Sequence, residues 1–239
     1  MGVPGISGGH KRIRVWDLPT RLFHWSLAVL VTTALVTGFI GGKAMLLHGR
    51  AGIAIAGLLA FRIVWGVAGS TYARFSQFVR GPATIRDYLG GRWQGLGHNP
   101  LGALSVLAML AVLAAQVGTG LPGNDDIVFN GPLYDLVTKG LSDSLTSLHR
   151  LNAWLVLALI ALHVGAIIFH VRAKQENLVL PMIRGWKERR SADGESHSGG
   201  GIIAFAIALA CAFAVAWGAA GAWIPATPPP PAGQSAPDF

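Results

Sequence analysis

Charge is the scarcest property of this 239-residue chain. Lys, Arg, Asp and Glu make up 13% of it, against about a quarter in an ordinary soluble domain, while hydrophobic residues make up 52%. So little charge cannot clothe a water-exposed surface, and the deficit points to lipid as the surrounding solvent. Acids are scarcer than bases, 11 against 19, and the apolar stretches hold almost no carboxylate with which to build a zinc or nickel transport site. Cys211 is the only cysteine, so there is neither an internal disulfide nor a Cys-x-x-Cys-His cofactor-attachment site. No internal repeat signals a duplicated transporter. No cleavable signal peptide is evident, because the first apolar stretch is itself long enough to span and serves as the insertion signal.

What is present is apolar length. A helix needs about 20 mainly apolar residues to cross the hydrocarbon core, and five stretches meet that length: 22–41, 49–69, 101–121, 148–171 and 201–224. Arg62 lies inside the second. An ionisable group within a span faces the bundle, a cavity or a cofactor.

The net charge of +8 alternates between inter-helix segments, so membrane orientation explains most of it, and better than nucleic-acid binding does. Lys11, Arg12, Arg14 and Arg21 precede the first span. Arg74, Arg80, Arg86 and Arg92 separate the second and third, and Arg172, Lys174, Arg184, Lys187, Arg189 and Arg190 follow the fourth. The other loops hold Lys43, Arg50, Lys139 and Arg150, together with Asp125, Asp126, Asp135 and Asp143. The basic segments are predicted to be cytoplasmic, placing the N-terminus inside and the C-terminus outside. Pro228 to Pro231 predict an extended polyproline tail. The acidic outer loop around Asp125 and Asp126 is a candidate docking surface for a basic redox partner, with plain solvation as the alternative.

Five of the eight histidines lie in or at the mouths of apolar helices. His10, His98 and His197 fall in Gly-, Ser- or Asn-rich segments and are expected to be merely solvated. His24 is near the inner end of span one and His48 opens span two at the outer face. His149 and His163 share span four, fourteen residues apart, which is about 40° short of four turns with a rise of about 21 Å. Depth therefore pairs His48 with His149 and His24 with His163. A transverse pair of imidazoles on facing helices is what a haem needs above and below its iron, so two non-covalent haems are expected, stacked along the membrane normal. His170, seven residues after His163 and near the same helix face, is the rival for the inner site. Structural histidines bonding between helices are the bland alternative.

Haem propionates need cations at the membrane edge. Arg50 and Arg150 each follow an outer ligand closely, and Arg21 lies three residues before His24, with Arg14 and Arg172 as further candidates. Gly38, Gly52, Gly57, Gly118 and Gly120 suit either a helix lying against a porphyrin or close helix packing. Gln116 and Thr119 suit interhelical hydrogen bonding, or a haem edge or quinone carbonyl. The tryptophans are expected mainly in interfacial belts.

The residues Trp16-Asp-Leu-Pro-Thr-Arg-Leu-Phe-His24-Trp25, His48-Gly-Arg50-Ala-Gly52, Gln116-Val-Gly-Thr-Gly120, Leu148-His149-Arg150, His163 and Glu176-Asn177-Leu178-Val179 running to Met182 and Gly185 together resemble the prokaryotic di-haem cytochrome b family. That family includes cytochrome b-561-like proteins and the cytochrome b subunits of nickel-iron hydrogenases. The resemblance covers about Val15 to Lys187 and implies that His24 and His163 ligate an inner haem b and His48 and His149 an outer one. It further implies electron exchange, in either direction, between membrane quinone and a periplasmic c-type cytochrome or hydrogenase-like protein.

The expected fold is all-α: an integral membrane helix bundle with a four-helix di-haem core in residues 1–190, a linker at 191–200, a fifth helix at 201–224 and a Pro-rich tail at 225–239. The fifth helix, which the family core lacks, is expected to pack peripherally. The expected setting is a bacterial inner membrane, as a homodimer or a complex subunit. A transporter or channel using the histidines, or an anchor for a catalytic subunit, are the competing readings.

Overall fold

The computed structural model describes residues 11–79, 81–93, 95, 97–189, 196 and 198–225. His10, Arg80, Arg190, His197, most of the expected linker and the tail from residue 226 lie outside them. Among the described residues five helices are long and apolar enough to cross a membrane: α1 Leu18–Ile40, α2 Met45–Ala68, α3 Pro100–Gly120, α4 Lys139–Ala173 and α5 Gly201–Ala219. The chain is an all-α membrane helix bundle.

Local chemistry sets the helix ends. Asp17 caps α1 by accepting from the Thr20 amide at 2.6 Å, with Pro19 in the first turn. Asn99 caps α3 the same way, accepting from the Gly102 amide at 2.7 Å, and Pro100 follows it. Gly41, at φ +69, ends α1 in a conformation that a side chain would strain. α4 differs most from its expected start at 148. Thr138 caps it, and a polar first section from Lys139 to Ser147 extends the helix beyond its apolar run. Likewise α2 begins at Met45, which puts His48 inside the first turn.

A two-stranded antiparallel ribbon, unexpected from the sequence, joins the chain ends around the core. β1 (Lys11–Arg14) pairs with β2 (Trp186–Arg189), Ile13 opposite Lys187. It fastens the segment before α1 to the segment after α4, and the amides of Val15 and Trp16 extend the tie by donating to the Gly185 carbonyl at 2.9 and 3.0 Å.

α2 is the central helix: half of its apolar window is buried within the bundle, against 17% or less for each other span. α1, α3 and α5 pack on α2, whereas α4 leans on α3 and stands off from α1 and α2. The fifth helix packs on α2, at the edge of the bundle, and closely. Gly57 of α2 lies so close to α5 that a Cβ there would sit 3.0 Å from the Ala212 carbonyl oxygen, and Phe205 of α5 meets the rings of Phe61 and Trp65. In lipid such contacts act through van der Waals packing, for which small residues are needed. Val29, Ile40, Val67, Leu162 and Ile202 are among many large apolar side chains left facing outward, as a lipid-solvated bundle requires.

Candidate cofactor site

The stand-off of α4 leaves a slot in the bundle, and the four paired histidines project into it at two levels. Val31, Ile55, Leu59, Leu113 and Val156 form an apolar core between α1, α2, α3 and α4.

At the level farther from the N-terminus, the rings of His48 and His149 are 5.8 Å apart, centre to centre. At the nearer level, His24 and His163 are 6.3 Å apart. Histidine nitrogens bind first-row metals at about 2 Å, so two imidazoles flanking one iron have ring centres about 6 Å apart. Both pairs meet that requirement. Among the described residues no cluster of three or more His, Cys, Asp or Glu side chains is placed to hold a bare ion. A donor set of two facing imidazoles suits a metal whose other ligands come from a macrocycle.

Hydrogen bonding fixes the tautomers at the His48–His149 level. His48 Nδ1 lies 2.9 Å from the Ala34 carbonyl oxygen and His149 Nδ1 2.8 Å from that of Gln116. A carbonyl only accepts, so each Nδ1 carries the proton and each Nε2 is left unprotonated, the form of imidazole that binds a metal. The lone pair of His149 meets the Gln116 amide nitrogen at 3.1 Å, and Asn152 holds that amide by donating to its oxygen at 2.7 Å. Thr119 donates within its own helix, to Ala115 at 2.7 Å. Gln116 thus makes interhelical bonds, and Asn152, which sequence reasoning passed over, completes the set.

A cavity of about 580 Å³ opens at this level, walled by His48, His149, aliphatic side chains and several glycines. The glycines make the cradle. A Cβ on Gly120 would stand 2.7 Å from His149 Cε1, and one on Gly38 would stand 3.1 Å from the His48 ring. Gly52 lines the cavity with open space beside it. Of the expected glycines, Gly57 serves helix packing, and Gly118 has nothing within 4 Å. Arg150 and Arg50 are both exposed, and Arg150 alone of the two lines the cavity wall.

At the His24–His163 level, His24 Nδ1 is buried without a partner. Arg21 gives one nitrogen to the Ile183 carbonyl at 2.5 Å and keeps a buried, unpartnered Nε. His170 is engaged elsewhere: it is buried within reach of the Tyr88 hydroxyl at 3.4 Å and the Glu176 carboxylate at 3.3 Å.

His98 departs from its expected solvation. Its ring packs 4.7 Å from Trp16 and 4.5 Å from Phe78, with Nδ1 buried and unpartnered. Burial first, then the charge of Arg62, push its pKa down to about 3. No motif announced this, since the Gly-His-Asn-Pro segment reads as a turn until the Asn99 cap fixes its direction. Trp16 and Trp65 are likewise buried within the bundle. The acidic loop is largely self-satisfied. Lys139 bridges Asp126 at 2.6 Å and Asp143 at 3.0 Å, and Asp125 accepts from the amides of Ile127, Val128 and Phe129.

Comparison with known proteins agrees with these features. The family model for prokaryotic cytochrome b561 matches residues 15–185. The chain is 22% identical over 215 residues to the probable Ni/Fe-hydrogenase 1 B-type cytochrome subunit of Escherichia coli strain K12, covering 74% of this chain and 91% of that one. It is 26% identical over 226 residues to the probable Ni/Fe-hydrogenase B-type cytochrome subunit of Azotobacter vinelandii, covering 75% and 92%. The corresponding protein of Cupriavidus necator is 26% identical over 216 residues, covering 74% and 87%. No solved structure matches at a significant level. With its helices, its facing imidazoles and this match over most of its length, the chain belongs to the prokaryotic cytochrome b561 family, and is a multi-pass membrane b-type cytochrome of electron transfer.

Proposed function

We propose that His24 and His163 hold the iron of an inner haem b, that His48 and His149 hold that of an outer one, and that the protein passes electrons across the membrane between quinone and a redox protein. The observation that carries this is the repetition of one geometry. Two imidazole pairs, each with ring centres about 6 Å apart, stand at two levels of a single slot, and α4 supplies one member of each, about 21 Å apart along its axis. When bound, each haem would supply a one-electron iron couple, held by His24 and His163 or by His48 and His149.

The protein's own residues set the conditions. Ala34 and Gln116 carbonyls hold the outer imidazoles in the metal-binding tautomer, and Gly38 and Gly120 let those rings seat against backbone. Arg150 on the cavity wall, with exposed Arg50 beside His48, neutralises the outer propionates, and the free Nε of Arg21 serves the inner ones. The basic segments before α1 and after α4 support a cytoplasmic N-terminus, with the outer pair on the periplasmic side of a bacterial inner membrane. The relatives' names, hydrogenase B-type cytochrome subunits, support a hydrogenase-like periplasmic partner; a c-type cytochrome is the other candidate. The test uses proteoliposomes containing a membrane quinol and, outside, an impermeant oxidant. Quinol should reduce both haems, and the outside oxidant should draw electrons from the quinol only through the protein. Haems that quinol leaves oxidised would contradict the quinone half of the reading.

A further inference from the structure

α2 carries a cation deep in an apolar run. Arg62 is 3% exposed, and its Nη1 is buried with no hydrogen-bond partner. A buried, unpartnered donor in a membrane helix is costly, and a ligand that supplies the acceptor removes that cost.

Its position follows from helix geometry. Arg62 comes fourteen residues after His48, so it lies about 21 Å farther along α2 and about 40° short of the same bearing. His163 follows His149 on α4 by the same number of residues. Arg62 therefore stands on the His48 face of α2, at the depth of the inner pair. Histidine occupies that offset on α4; α2 places an arginine there instead.

The surroundings hold this guanidinium without giving its Nη1 an acceptor. Its carbon lies 4.7 Å from the ring centre of Phe75 and 6.0 Å from that of Phe78, contacts that attract a cation but bring no counter-charge. Asp17 is the acid that acts on it electrostatically, yet its carboxylate is engaged by the Trp65 indole, the Ser70 hydroxyl and the Thr20 amide. His98, against Phe78, is within electrostatic reach of both Arg62 and His24, and is kept neutral by its burial. The site lacks a hydrogen-bond acceptor for Nη1.

We infer that Arg62 binds the inner haem, its Nη1 taking a propionate carboxylate and its charge raising the reduction potential of that iron. This rests on the two-haem reading above. A positive charge nearby disfavours ferric iron, which carries one more positive charge than ferrous, so removing it stabilises the oxidised form.

The experiment is a potentiometric titration of the full-length, detergent-purified protein, following the b-type absorbance of wild type, Arg62→Gln and Arg62→Lys. In Arg62→Gln the inner midpoint should fall by about 59 mV or more, a tenfold shift of the ferric-to-ferrous ratio, with the outer midpoint unmoved. Arg62→Lys should stay within threefold of wild type. Loss of the inner haem from Arg62→Gln but not from Arg62→Lys would equally support the inference, because the charge is then what retains it. An inner midpoint that moves less than threefold in Arg62→Gln, or loss of the inner haem from both variants alike, would overturn it. Wild-type protein holding a single haem would overturn the two-haem reading itself, so the two failures are distinguishable.

Discussion

His149 sits directly against Gly120: the imidazole occupies the space that a side chain at position 120 would fill, with Cε1 2.7 Å from where its Cβ would be. The glycine is thus part of the ligand's seat. Gly120→Ala should displace the His149 ring, break its bond to the Gln116 carbonyl and lower outer-haem occupancy severalfold, while leaving the inner haem in place. Gly118→Ala, two residues away with nothing within 4 Å, should leave both unchanged. Haem content per chain by pyridine haemochrome distinguishes the two variants.

Asp17 fastens the N-terminal end of the bundle. Its carboxylate caps α1 through Thr20 and accepts from Trp65 Nε1 at 3.0 Å and from the Ser70 hydroxyl, linking α1 to α2 and the turn after it. Hydrogen bonds to a charged group contribute about 1.5–3 kcal/mol each. Asp17→Ala should therefore destabilise the fold by about 3 kcal/mol or more, read as a lower midpoint of thermal unfolding in detergent. A midpoint within a degree of wild type would contradict this role.

The α2–α5 contact depends on the absence of a side chain at Gly57. Gly57→Leu overpacks a site where even a Cβ would lie 3.0 Å from Ala212 O and 3.3 Å from Ala216 Cβ, and overpacking costs about 1–3 kcal/mol. The expected outcome is a less stable protein with an unaltered b-type spectrum, because α5 lies on α2 away from the slot that holds the histidines.

The loop after α3 should be acid-sensitive. The Phe129 amide, with those of Ile127 and Val128, holds the Asp125 carboxyl below its ordinary range. A group with a depressed folded pKa adds stability that is fully present above its unfolded value, about 3.9, and is lost as pH falls through the folded value. Protection of the Ile127, Val128 and Phe129 amides, relative to their intrinsic exchange rate at each pH, should hold down to about pH 4 and fall below it. Asp125→Asn should exchange faster already at neutral pH.

The membrane class and the five spans were legible because lipid imposes long apolar runs that few other environments require. The four paired histidines were legible for a related reason: helical rise converts sequence separation into depth, so His149 and His163 had to lie at different levels. What the residue pattern missed was polar or short. The first nine residues of α4 are too hydrophilic to read as span, yet the Thr138 cap starts the helix there and Ser142 is buried against the Pro122 carbonyl. The β1–β2 ribbon is four residues a side and mostly charged, below the length at which alternation is recognisable. The burial of His98 depends on Trp16 and Phe78, residues distant in sequence. The role of α5 depends on a glycine, which looks the same in a sequence whether it faces a helix, a cofactor or lipid.

The most direct test of the central claim is the haem stoichiometry and the dithionite-reduced minus oxidised spectrum of the purified protein, compared with those of His163→Ala and His170→Ala. The account predicts two b-type haems per chain, one of them lost in His163→Ala and both kept in His170→Ala, since the His163 ring faces His24 while His170 is held by Tyr88 and Glu176. Folded protein without a b-type spectrum, or a haem lost in His170→Ala and retained in His163→Ala, would contradict it.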